Sequence, residues 1–148
     1  MKDLSIIDNF LDEREFRNYV HHLLVKNGYS SVTIDDERLA DNTKINDNDM
    51  LATKDNITYT VQTFLNVSIG KGEVDETYKD MDNENVVAGI IVTNSKVYDE
   101  IKAYAKDKSI EIWDRDFLEK SIWQILNMVV RFFYLEWGLI LSSIINTF

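Results

Sequence analysis

The stretch Asn46–Asn66, NDNDMLATKDNITYTVQTFLN, decides how this chain is read. Asp55-Asn56 suits a two-residue turn, because Asp and Asn tolerate the positive φ that tight hairpins need. On either side lie runs of β character, Met50 to Thr53 and Ile57 to Leu65, with Thr58, Tyr59, Thr60 and Val61 the most strand-like. With the turn fixed, Lys54 stands opposite Ile57, and counting back sets Asp49 opposite Gln62. Directly opposed residues share a face of the sheet, with Cβ atoms about 5 Å apart. Two residues beyond Gln62 on that face is Phe64. The hairpin therefore predicts one sheet face carrying Asp49, Gln62 and Phe64 together.

Outward from the hairpin the pattern is α/β. From Asp12 to Lys26, Phe16, Tyr19, Val20, Leu23 and Leu24 recur at helical spacing, and Asn27-Gly28 is a stop signal. Ser31 to Ile34 reads as a short strand and the acidic Asp35 to Asp47 as loop. Gly72 to Met81 predicts a short charged helix. Val86 to Thr93 is almost wholly apolar, as a strand buried on both faces must be. Val97, Ile101, Tyr104 and Ala105 form one helix face, and Ser109 to Trp113 a last short strand. This order implies one mixed sheet with helices packed against it.

Composition narrows the function classes. At 148 residues, one domain with a sizeable core is expected. The absence of cysteine excludes disulfides and thiolate metal sites. His21 and His22 point about 100° apart on a helix and cannot ligate from one face. The net charge of −10 argues against strong non-specific nucleic-acid binding, which depends on neutralising phosphates. The candidates for local DNA contact are Lys96, Lys102 and Lys106, with Lys108 and Arg115 close in sequence; the competing reading is a solvated, charge-balanced helix face. The opening MKDLSIIDNFLDER carries acids and no long apolar run, unlike a secretory signal, so a cytoplasmic setting is expected.

From Glu13 to Leu118 the chain resembles the Mrr-type catalytic domain of the restriction-endonuclease-like superfamily. The resemblance rests on the helix ending at Gly28-Tyr29, the Asp49 hairpin, Val61-Gln62, the Gly89-Ile90-Ile91-Val92-Thr93-Asn94 strand and Ile112-Trp113-Asp114-Arg115-Asp116-Phe117-Leu118, in that order. It implies a restriction-endonuclease-like mixed β-sheet flanked by helices. It also implies Mg²⁺-dependent hydrolysis of DNA phosphodiesters at an Asp, Glu or Gln, any residue, Lys motif. Asp49 takes the aspartate position and Gln62 the Glu/Gln position, both as metal ligands. The lysine position holds Phe64. The family's first helix often carries Phe-Glu, the glutamate completing the metal site, where this chain has Phe16-Arg17.

Each departure has a chemical consequence. Mg²⁺ prefers hard, charged oxygen ligands, and Gln62 offers a neutral amide oxygen. Phe64 can neither orient a water nor stabilise negative charge developing on phosphorus. Two residues could substitute. Lys71, in Gly70-Lys71-Gly72, is the candidate recruited catalytic lysine. Glu13, one helical turn before Arg17, is the candidate replacement metal ligand. Lys54 is sent to the opposite face by strand alternation.

The chain after Ser121 lies outside this resemblance and is set apart as a unit of residues 121–148, following a domain of residues 1–120. Its charged residues are Arg131 and Glu136. As a helix, Ile122 to Ile145 would extend roughly 36 Å, enough for a bilayer core of about 30 Å. Gln124, Asn127, Arg131, Gly138 and Ser142 fall along one broad side. The segment therefore suits a membrane span, a membrane-surface helix, or packing on protein within the chain, on a partner or in a homo-dimer. Two function classes remain: a Mg²⁺-dependent endonuclease using a recruited lysine, or a catalytically impaired module that keeps the fold to bind DNA or protein.

Overall fold

The computed structural model describes residues 6–10, 12–34 and 49–147. A 3-10 turn, Ile6–Asp8, precedes helix α1, Glu13–Lys26. Asp12 caps α1 by accepting from the Glu15 amide at 2.8 Å. The chain leaves the helix through Gly28 at φ 89°, a backbone state that a Cβ would strain. Strands β1 (Ser31–Ile34), β2 (Asp49–Lys54) and β3 (Ile57–Phe64) follow. Helix α2 is Lys71–Glu84, β4 is Ala88–Thr93, α3 is Asp99–Asp107, β5 is Ile110–Trp113 and α4 is Arg115–Ile145. The acidic Asp35 to Asp47 segment, expected as loop, lies outside the described residues.

The five strands lie in the order β1-β2-β3-β4-β5. β1, β2 and β3 pair antiparallel, whereas β3, β4 and β5 pair parallel, so the sheet is mixed. Asp55 and Asn56 both take positive φ, 51° and 64°, making the two-residue turn that the sequence predicts. The register follows from it: Lys54 pairs with Ile57 and Asp49 with Gln62.

Two cores cover the two faces. On one, α1 brings Phe16, Val20 and Leu24 onto Met50, Ala52, Val61, Ile90 and Val92, with Trp113 and Leu118 closing the end. On the other, α2 and α3 bring Val74, Met81, Ile101 and Ala105 onto Ile91 and Ile110. β4 is buried along nearly its whole length, as its unbroken apolar run requires. Gly89 lets α2 pack closely on the sheet, since a Cβ there would meet Met81 Sδ at 2.9 Å.

Two helices are longer than their sequence patterns indicate. α2 begins at Lys71 and continues to Glu84, where Asn85 adopts the left-handed conformation that ends it. α4 crosses the 120/121 boundary without a break. Asp114 caps it by accepting from the Phe117 amide, so the helix starts within the resemblance region and carries on through the apolar tail.

Candidate functional site

Strand alternation turns Thr60, Gln62 and Phe64 towards α2, and Val61 towards α1. Gln62 is buried at 2% exposure. Its amide nitrogen donates to Asp80 Oδ2 at 2.6 Å, and its amide oxygen accepts from the Thr77 hydroxyl at 2.5 Å. The same Thr77 hydroxyl also lies 2.9 Å from the Glu73 carbonyl one turn back, a second acceptor for its single proton. Next along β3, the buried Thr60 hydroxyl donates to Glu84 Oε2 at 2.5 Å. A polar seam on α2, Thr77, Asp80 and Glu84, is thus bonded to the polar positions of β3.

Burial raises the Asp80 carboxyl above its ordinary range, and Glu76 adds to the rise; the Gln62 amide and Lys79 pull it partly back. A carboxyl raised by folding contributes stability that is fully present below its unfolded pKa and lost as pH rises through its folded value. Asp80 therefore costs stability near neutrality, and the Gln62 hydrogen bond limits that cost.

The backbone places Asp49 opposite Gln62; its side chain lies outside the described residues. Phe64 is half-buried and packs against the α2–α3 core. Lys71 opens α2, and its ammonium lies 5.2 Å from the centre of the Tyr104 ring on α3. Glu13 is exposed in the first turn of α1, the helix on the sheet face away from Thr77 and Asp80. Lys54 points to the α1 side as alternation requires, donating to the Asn27 carbonyl at 2.8 Å beside the Tyr29 ring. The structure thus gathers Gln62 with Thr77 and Asp80, sets Lys71 on the Tyr104 ring and leaves Glu13 exposed on the helix across the sheet.

The family chemistry calls for Mg²⁺, and the described donor set does not fit one. Mg²⁺ demands near-octahedral oxygen ligation. The Gln62 oxygen is buried against a hydroxyl donor, and its nitrogen donates to the Asp80 carboxylate. Among the described residues, no group of three His, Cys, Asp or Glu side chains is placed to hold a metal.

The cations proposed for DNA contact mostly have acidic partners. Lys102 lies 2.6 Å from the buried Asp114, and this bond raises its pKa. Lys108 lies 3.5 Å from Asp75 and over the Tyr78 and Tyr104 rings. Arg115 makes a forked pair with Asp8 at 2.6 and 2.7 Å and also reaches Glu119. Lys96 is an exposed partner of Asp116 at 3.9 Å. Trp113 and Phe117 stack on each other at 4.6 Å, and Trp113 belongs to the core.

Sequence reasoning missed Thr77, Asp80 and Glu84. The signal was present: their i, i+3, i+7 spacing puts them on one side of a helix. A helix this poor in apolar residues must still turn a face to the sheet, and β3 offers polar positions at Thr60 and Gln62.

A mixed sheet with α1 on one face and α2 and α3 on the other, and with the Asp49–Gln62 register at its centre, defines a restriction-endonuclease-like domain. The Mrr catalytic-domain model, described as a restriction endonuclease, matches residues 8–122, and the chain belongs to that family. A crystal structure of a protein of unknown function, AF1548, is 22% identical, with a TM-score of 0.50 over 66% of this chain and 56% of that one. This is a likeness of fold, and the chain spans only that 56% of the other protein's length. No curated protein matches the chain.

Proposed function

We propose that this is a catalytically impaired Mrr-type domain that retains the nuclease fold as a binding module. One observation carries the reading: the Gln62 amide, at a motif position, is bonded through both its polar atoms to Thr77 and Asp80 in a buried setting. A ligand position committed in this way stabilises the α2–sheet contact. Phe64 supports the same conclusion, because the place of the cationic stabiliser is taken by a ring packed on the second core. Loss of one such electrostatic group typically costs about 10²–10³ in rate.

DNA is the ligand the family relationship suggests. The net charge of −10 and the internal pairing of Lys102, Lys108 and Arg115 favour weak, salt-sensitive DNA contact, and leave a protein ligand as the alternative. A second reading, an active endonuclease, is favoured by Lys71. Its attachment to Tyr104 is a surface cation–π contact, worth only about 0.5–1 kcal/mol, so the side chain can be redirected cheaply.

The test is plasmid cleavage with Mg²⁺ alongside duplex binding measured in EDTA. The impaired-module reading expects binding with little or no cutting. Robust Mg²⁺-dependent cutting that Asp49→Ala abolishes overturns it, and loss of that cutting in Lys71→Ala would establish the second reading.

A further inference from the structure

Helix α4 is anchored to the domain at its start and stands clear of it afterwards. Asp114 caps it, Arg115 is forked onto Asp8, Leu118 is fully buried, and the Ser121 carbonyl accepts from Lys26 at 3.4 Å. Past Ile122, large apolar side chains are exposed. The helix runs unbroken for 31 residues, its most apolar window has a mean hydropathy of 1.6, and none of that window is buried.

The direction of the apolar surface says what covers it. Val129, Val130, Phe132, Phe133 and Leu135 are each at least 45% exposed. At about 100° per residue they cover about 220° of the helix circumference, the remaining sector being the one that holds Arg131. One partner helix or one protein groove covers a single side, so it would leave much of this surface in water. Lipid covers the whole of so wide an apolar arc at once, and a helix that is apolar over most of its circumference is one buried in a core or in a membrane. Length agrees: Ile122 to Ile145 extends roughly 36 Å against a bilayer core of about 30 Å.

We propose that residues 122–145 of α4 cross a lipid bilayer, and that the domain is fixed at the membrane surface by the same continuous helix. Ser121 is still buried against the domain while Trp123, two residues on, is exposed. No flexible linker separates the two, so the domain cannot swing freely away from the lipid. The attraction is apolar: a chain of net charge −10 gains nothing from anionic headgroups. Arg131 and Glu136 sit near the middle of the span, about 140° apart around the helix. Arg131 shares its side with Gln124, Asn127, Gly138 and Ser142, which confines most of the polar groups to one seam.

The chain contains no cysteine, so single labels can be introduced without removing any. The full-length chain is reconstituted into phosphatidylcholine vesicles, floated, and washed with alkaline carbonate. Lys120→Cys, Leu126→Cys, Val130→Cys, Leu135→Cys and Leu141→Cys are labelled one at a time and their depths read with brominated lipids. A span is expected to float, resist the wash, and give depths that are shallow at 120, deepest at 130 and 135, and shallower again at 141. Adding phosphatidylglycerol should not increase binding. Depths that rise and fall every three to four residues would mean a helix lying on the surface and overturn the proposal. An unlabelled chain that stays in the aqueous fraction as a soluble oligomer would overturn it equally, whatever the labelled variants do.

Discussion

Gln62→Glu is the substitution that separates a structural amide from a metal ligand. It restores the charged ligand that Mg²⁺ chemistry prefers, yet in this structure it places a carboxylate against Asp80. The Gln62 nitrogen now donates to Asp80 Oδ2 at 2.6 Å, and that donor is lost; the Thr77 hydroxyl can still donate to the new group. A hydrogen bond to a charged partner contributes about 1.5–3 kcal/mol. With the repulsion of two poorly hydrated carboxylates added, the expected cost at pH 7 is about 2–4 kcal/mol. For a chain of this size that lowers Tm by about 5–15 °C. The cost should depend on pH in a defined direction. Burial and the Asp80 charge both raise the pKa of the new carboxyl in the folded state. The variant therefore matches the parent most closely below the unfolded value of about 4.3, and falls behind as pH rises through the folded one. Thermal unfolding by circular dichroism in mild detergent, at pH 4 and pH 7, reads this directly. An unchanged Tm at pH 7, or equal deficits at both values, would refute the hydrogen-bonded account of Gln62.

Other consequences follow from the same geometry. Phe64→Lys alone should give no Mg²⁺-stimulated DNA cleavage in a plasmid assay, because Gln62 remains bonded to α2, and loss of ring burial should lower stability by about 1–3 kcal/mol. Asp114→Ala removes the α4 cap, a weak acceptor for the Val97 amide and the partner of Lys102, so denaturant unfolding should show a loss of about 3–5 kcal/mol. A chain ending at Lys120 should remain monodisperse without detergent in size-exclusion chromatography while the full chain requires it, since almost all of the packed core precedes that residue and the exposed apolar surface follows it.

The hairpin was legible because its turn chemistry is local. Asp55-Asn56 supplies the positive φ values, and every pair down to Asp49–Gln62 is then fixed by counting. The buried β4 run and the α1 stripe were legible for a similar reason, their periods being set by which side chains must leave water. The α2 seam was harder to see, because Thr77, Asp80 and Glu84 read as solvent residues until a polar strand is placed beneath them. The start of α4 was hidden by a change in composition at Ser121 that does not coincide with a change in structure. The backbone is committed earlier, by the Asp114 cap. Charge pairing was also invisible, since Lys102 with Asp114 and Arg115 with Asp8 are brought together by tertiary packing.

The central claim is that the motif amide is a structural bond between sheet and helix. It is tested most directly by following the Gln62 side-chain NH₂ signals by NMR during a Mg²⁺ titration into the millimolar range. The account predicts that these signals stay in place and remain protected from solvent exchange, as expected of a buried donor held by Asp80. A saturable shift with Mg²⁺ that disappears in Asp49→Ala would contradict it, and would make Gln62 a metal ligand.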